Sequence, residues 1–197
     1  MDNSVLQQTV KSFLAKWGFE APEISSAWIE AMKVASYEKG EIITAVGQPV
    51  HELGLIQSGM VRYYYDSPDG KEWNKAFYRE GDIVIAASAY LTNTPAPFTI
   101  QALEETALIT VPREKLEQWG GEFPKFQHLY STLITQAFIR NEQREAMLLT
   151  CNAEQRYQWL QEHEPSLLER VPQFHLASYI GIDAVSLSRV KRKISSQ

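Results

Sequence analysis

Ser186, Ser188, Arg189, Lys191, Arg192 and Lys193 crowd one short stretch and offer hydroxyl, guanidinium and ammonium donors, with no carboxylate among them. Donors of that kind suit duplex DNA: arginine and hydroxyls reach base edges and phosphates, and further cations neutralise the backbone. Such chemistry needs a rigid carrier, and the preceding residues have the spacing of one. Ala177 stands four places before Gly181, Leu187 six places after it and Val190 nine. That is the pattern of two helices joined by a helix-turn-helix turn. The small Ala177 allows close approach, and Gly181 can take the positive φ of the turn. Leu187 and Val190, three apart, pin the second helix to the first. The plainer reading is an ordinary helical pair whose basic last turn complements the helix dipole.

Charge favours the first reading. The chain of 197 residues carries a net charge of −5, which alone argues against nucleic acid. Residues 170–197, however, hold Arg170, Arg189, Lys191, Arg192 and Lys193 against the single anion Asp183. An acidic body with a basic tip concentrates attraction for DNA at one end. With 44% hydrophobic and 22% charged residues, the composition is that of a globular protein. Cys151 is the only cysteine, so no intrachain disulfide, zinc finger or iron–sulfur cluster is expected. The amino terminus lacks a basic segment followed by an apolar run, and no apolar run reaches spanning length, so the expected location is cytoplasmic, with no membrane partner.

The elements that would carry the tip fall in order along the chain. Residues 4–35 read as helical, with Val5, Val10, Phe13 and Leu14 in one stripe and Ile24, Trp28, Ile29 and Met32 in another, separated by Ala21-Pro22. Short strand-like runs follow at Glu41–Val46, Leu53–Gln57, Met60–Tyr65, Trp73–Tyr78, Asp82–Ile85, Phe98–Leu103 and Ala107–Val111. Gly59, Gly70 and Gly81 punctuate them every eleven residues. Regular short strands with glycine turns predict an antiparallel jelly roll or barrel. Residues 124–149 form one long helix opened by Pro124. Residues 153–194 form a small helical domain with Asn152 as its helix cap. The domain reading is 1–123, 124–150 and 151–197.

On the long helix Phe126, Tyr130, Leu133, Ala137 and Arg140 follow alternating steps of four and three, while Ile134 and Phe138 face another way. Two apolar faces need two covers, so one is expected on the roll and the other on a second copy of the chain. At about 1.5 Å per residue such a helix spans on the order of 39 Å, close to the roughly 34 Å between half-sites one duplex turn apart. The expectation is a parallel homodimer on double-stranded DNA; a monomeric helix lying in a groove is the alternative.

The whole order, helix, jelly roll, long helix and helix-turn-helix, resembles the cyclic-AMP receptor protein / fumarate–nitrate regulator (Crp/Fnr) family of transcription regulators. Tyr37-Glu38-Lys39-Gly40-Glu41-Ile42-Ile43 looks like the family's opening strand, Gly47, Gly59 and Gly70 fall where its roll turns, and Gly81-Asp82 resembles the pair before its ligand cassette. Ala153-Glu154-Gln155-Arg156-Tyr157, Pro165, Leu167-Leu168 and Val171-Pro172 resemble its short-tailed members. The resemblance implies an α+β fold: a cyclic-nucleotide-binding-type β jelly roll with flanking helices, a long dimerisation helix, and a C-terminal helix-turn-helix with its recognition helix at residues 184–194. It places Ala184, Val185 and Arg189 at base-reading positions, with Ser186, Ser188, Lys191, Arg192 and Lys193 at phosphates. The methyl groups of Ala184 and Val185 suit thymine methyls. The chain runs only three residues past Ile194, so the β-hairpin wing of longer members is expected to be absent.

One departure bears on the ligand. Cyclic-nucleotide-binding members carry a Gly-Glu pair and an Arg-Ser pair after Gly-Asp. Aligned without gaps from Gly81-Asp82, this chain has Ile85-Ala86 and Ala96-Pro97 there. No basic residue lies between Asp82 and Val111. A buried phosphate without a cation carries a large desolvation cost, so cyclic AMP is not expected as a ligand and no cofactor is implied. Tyr63, Tyr64, Tyr65, Trp73, Phe77, Tyr78 and Tyr90 make the roll aromatic. Tyr63 and Tyr65 would share one strand face, as would Trp73 and Phe77. Such residues pack a core or line a site for an apolar or neutral small-molecule effector, which the sequence does not identify; a vestigial cassette is the third reading.

His51, His128, His163 and His175 form no His-x-His pair, which argues against a metal-dependent β-roll enzyme. No Ser-His-Asp order, phosphate loop or dinucleotide fingerprint occurs, so the chain is not expected to be an enzyme. Cys151 reads as a small buried residue or as an oxidant-sensing thiol. A sensor or interaction protein whose truncated helix-turn-helix no longer binds DNA stands as the alternative function.

Overall fold

The computed structural model describes residues 3–16, 18, 26–122 and 124–195. Helices α1 (Asn3–Lys16) and α2 (Ser26–Ala31) precede eight strands. These are β1 (Lys33–Tyr37), β2 (Ile42–Thr44), β3 (Glu52–Ser58), β4 (Met60–Asp66), β5 (Glu72–Arg79), β6 (Ile83–Val84), β7 (Thr99–Ala102) and β8 (Thr106–Pro112), with α3 (Ala87–Thr92) between β6 and β7. Then come α4 (Arg113–Glu122), the long α5 (Pro124–Thr150), α6 (Ala153–His163), α7 (Leu167–Arg170), α8 (Gln173–Tyr179) and α9 (Ala184–Ser195). The strands form two four-stranded sheets in the orders β1-β8-β3-β6 and β2-β7-β4-β5, so the jelly-roll expectation holds.

Pairing in the first sheet is antiparallel, with Leu55 opposite Ile109 and Leu53 opposite Val111. Because side chains alternate faces along a strand, these four project together. They meet Leu6, Val10, Phe13, Trp28, Leu116, Trp119 and Leu129 from the helices in one apolar cluster, where Trp28 and Trp119 stack with centroids 4.9 Å apart. Ile56 and Leu108, paired on the opposite face, are also buried. Gly59 makes the β3–β4 turn at φ +95°, and a Cβ there would lie 2.5 Å from the Glu105 carbonyl oxygen. Only glycine fits that position.

The structure corrects several expectations. Helix does not continue to residue 35: β1 runs antiparallel to β8 from Lys33 opposite Thr110. No Gly or Pro marks the change at Met32-Lys33, and strand pairing overrides the local helical pattern. Helices α3 and α4 carry no strong periodic signal and were not anticipated. The first stripe is Leu6, Val10, Phe13 and Leu14, since Val5 is exposed. Ala21-Pro22 and Ile24 lie outside the described residues. Tyr63 and Tyr65 share β4, and Trp73 and Phe77 share β5, as expected, but Tyr63 and Phe77 are buried while Tyr65 and Trp73 are exposed.

The chain folds as two compact units. The first comprises residues 1–62 and 78–134; the second comprises 63–77 and 135–197. The second thus joins the tip of the β4–β5 hairpin to the helical C-terminal region.

Candidate nucleic-acid interface and effector cassette

In the second unit, α8 and α9 enclose the expected turn. Gly181 has φ +68°, and the Ile182 amide donates to the Ala177 carbonyl at 3.0 Å. Leu187 is wholly buried with Leu160, Leu176, Ala177 and Ile180, while Val190 is half-buried. Asn152 caps α6 in a reciprocal capping box with Gln155.

Asp183 caps α9, a role the Asp-x-x-Ser spacing could have signalled. Its carboxylate accepts from the Ser186 amide at 2.7 Å and from the Ser186 hydroxyl at 2.8 Å. The amide bond, then the hydroxyl, hold its pKa below the ordinary carboxylate value. Ser186 was assigned to phosphate; its hydroxyl is instead committed to this cap and the residue is half-buried.

Six of the other assigned residues lie along the outer side of α9. Ala184, Ser188, Arg189 and Arg192 are exposed, Lys191 is half-buried, and Val185 is 60% exposed. Lys193 is also exposed, but its ammonium contacts the Glu154 carboxylate of α6 at 2.5 Å. The spacing shows the charge of Lys193, not the acid that faces it.

Two arginines that sequence reasoning missed hold this unit together. Arg156 donates to the carbonyls of Leu148 (2.7 Å), Cys151 (2.8 Å), Ile180 (3.2 Å) and Gly181 (3.2 Å). It thereby satisfies chain ends of α5 and α8 together. Arg144 donates to the Tyr179 carbonyl at 2.6 Å and the Asn74 carbonyl at 2.9 Å, and lies over the Tyr179 ring. Burial pushes its pKa down. Cys151 is half-buried, with its sulfur 3.7 Å from the Thr150 hydroxyl.

In the first unit, Gly81 and Asp82 form the turn before β6, and the Asp82 carboxylate accepts from the Arg79 amide at 2.9 Å. Ala86 and Ala96 are buried, Ile85 is half-buried and Pro97 is exposed. Arg62, not anticipated as a buried cation, donates to Gln101 at 2.7 Å. Arg113, just past the cassette, is engaged by Glu117 at 2.7 Å and Asn93 at 2.9 Å.

The residues of the expected dimer seam fall in different surroundings. Tyr130 and Leu133 line an apolar cavity within their own unit. Ala137 and Arg140 are half-buried, and the side chain of Phe126 lies outside the described residues. Periodicity shows that a face is apolar but not what covers it. Among the described residues, the exposed large apolar ones of α5 are Phe138, Ile139 and Leu149.

Among the described residues no cluster of three or more His, Cys, Asp or Glu could hold a metal, and no helix is long and apolar enough to cross a membrane.

Comparison with known proteins agrees with this architecture. Residues 34–120 match the cyclic nucleotide-binding domain family. Over 120 residues the chain is 30% identical to the anaerobic regulatory protein of Pasteurella multocida, covering 60% of this chain and 43% of that one. Over 119 residues it is 28% identical to the fumarate and nitrate reduction regulatory protein of Vibrio cholerae, covering 60% and 47%. The matches therefore span less than half of these curated relatives. Among solved structures, FixK2 from Bradyrhizobium japonicum matches with a TM-score of 0.74 at 20% identity, over 84% of this chain and 85% of that one.

Proposed function

We infer that the chain is a member of the Crp/Fnr family and, as such, a sequence-specific, DNA-binding transcription regulator acting as a homodimer. The observation that carries this reading is α9 itself. Leu187 is wholly buried while Val185, two residues earlier, is 60% exposed, and Arg189 is exposed on the same helix. An anchored helix that presents a bulky methyl group and a guanidinium to solvent suits a major groove, methyl to thymine and guanidinium to guanine or phosphate. Ser188, Lys191 and Arg192 supply backbone contacts.

The twofold mate sits on the exposed stripe of α5. Phe138 and Leu149 are eleven residues apart, three helical turns, so they lie on one line with Ile139 beside it. The cassette does not take a cyclic nucleotide in this reading. The buried methyl groups of Ala86 and Ala96 occupy positions where the family's binders carry charged or polar ligands.

Fluorescence anisotropy with random duplex DNA across a salt series tests the function. Counterion release by several phosphate contacts gives a steep fall of log affinity with log salt. Binding that is absent, or flat with salt, refutes the reading. Selection of bound genomic fragments then identifies the operator, which should be palindromic if the reader is dimeric.

A further inference from the structure

One opening in the first unit is distinct from the nucleotide cassette. It is a cavity of about 440 Å³ on the helix-facing side of the β1-β8-β3-β6 sheet, lined by side chains that include Phe13, Trp28, Leu55, Tyr90, Trp119 and Tyr130. Ala86, Ala96 and Pro97 take no part in its lining. A cavity of roughly 150 Å³ holds benzene, so this one accommodates on the order of fifteen to twenty non-hydrogen atoms, within the range of small-molecule sites. The described lining residues include no carboxylate and no cation; Arg113, 4.8 Å over the Tyr90 ring, is already engaged by Glu117, so an ionised ligand would be buried without an uncommitted counter-charge.

Among the few polar groups of the lining, one stands out. The hydroxyl of Tyr130 is buried and has no hydrogen-bond partner among the described residues. Its ring stands 6.2 Å from that of Tyr90. The neighbouring Gln127 amide is already committed, donating to the Gly120 carbonyl at 2.9 Å. A buried phenol left unpaired is costly, and a ligand oxygen would relieve that cost.

We propose that this cavity is a binding site for a neutral, largely apolar or aromatic small molecule bearing one hydrogen-bond acceptor, which accepts from the Tyr130 hydroxyl. The inference goes beyond the DNA-binding reading and does not rest on it, because occupancy is measured on the free protein. Helices α1, α2, α3, α4 and α5 all contribute to its wall, so a ligand would tie the roll to the start of the long helix.

The test titrates the full chain with Prodan, a neutral naphthyl ketone of suitable size, and follows its emission. Expected are saturable one-to-one binding and a blue shift. Tyr130→Phe should weaken the ketone by roughly five- to tenfold while leaving its analogue without the ketone oxygen unchanged. Met32→Trp, which adds bulk to the lining, should abolish binding in a protein whose circular dichroism and melting remain cooperative. Anionic dodecanoate should not compete. Absence of saturable binding overturns the site. So does saturable binding that Met32→Trp leaves intact, because the probe then sits elsewhere. Equal ketone affinity in Tyr130→Phe overturns the polar anchor, and competition by dodecanoate overturns the neutral ligand class. None of these results depends on whether the protein binds DNA.

Discussion

The side-chain amide of Asn74 donates to both the ring Nδ1 (3.2 Å) and the backbone carbonyl (3.1 Å) of His175, 101 residues further along the chain. Asn74 lies on β5 and His175 on α8, and both are buried. Around this pair the Asn74 backbone N–H donates to the Ser178 hydroxyl at 2.9 Å, and that hydroxyl donates to the Glu72 carbonyl at 2.8 Å. The hairpin tip is thus bonded to the first helix of the helix-turn-helix. Asn74→Ala leaves the His175 carbonyl and ring nitrogen without their amide donor. It should cost about 1–3 kcal/mol, read as a lower urea midpoint, with faster amide exchange in α8. An unchanged midpoint would remove the network from any structural role.

How much of this was legible in the sequence depends on range. Gly181, Leu187 and Asn152 act through neighbours within a few residues, so their spacing announces them. The Asn74–His175 pair has no such signal, because nothing local in either strand or helix specifies the other. Tyr130 and Leu133 show a different limit: their period was read correctly, but the cover is their own unit's cavity. Strand β1 was hidden for a related reason, since its place is set by pairing with β8 rather than by its own alternation. The cassette's lack of charge was plain from residue types alone. The buried Arg62 was not, because an arginine in a strand is ordinarily exposed.

Arg156 offers a sharper energetic test. Its guanidinium reaches four carbonyls at once, which a lysine ammonium on a flexible stem cannot reproduce. Arg156→Lys keeps the charge and should still cost about 2 kcal/mol through lost charge-assisted bonds. A thermal melt of the lysine variant matching the parent would show that charge, not the fork, is what matters there.

Lys75 on β5 gives a pH prediction. Burial first, then the positive charges of Arg144 and Arg140, hold its ammonium below the ordinary lysine pKa. Between that lowered value and about 10.4, the unfolded chain binds the proton and the folded chain does not. Stability from this group therefore rises with pH across that window and is least below it. Lys75→Met should raise the denaturation midpoint at neutral pH, and the gap to the parent should close as pH approaches the ordinary lysine range. A gap constant with pH would locate the gain in packing instead.

Arg189 and Lys193 occupy the same helix but differ in what faces them, and that difference predicts different DNA phenotypes. Arg189 is exposed on α9, free to form a paired contact with a guanine edge, so Arg189→Ala should cost about 1–3 kcal/mol at the operator and relax preference at one base pair. Lys193 already meets the Glu154 carboxylate at 2.5 Å. Its charge reaches a phosphate partly neutralised, so Lys193→Ala should weaken every duplex slightly and alike, and reduce the salt slope by less than about one. Removing the acid is the complementary change: Glu154→Gln takes the carboxylate charge away from the ammonium and should tighten binding to random and operator DNA equally, by a few fold. Competitive anisotropy with operator and scrambled duplexes measures all three. Equal losses of specificity in Arg189→Ala and Lys193→Ala would mean that α9 meets DNA through its charge alone, without reading bases.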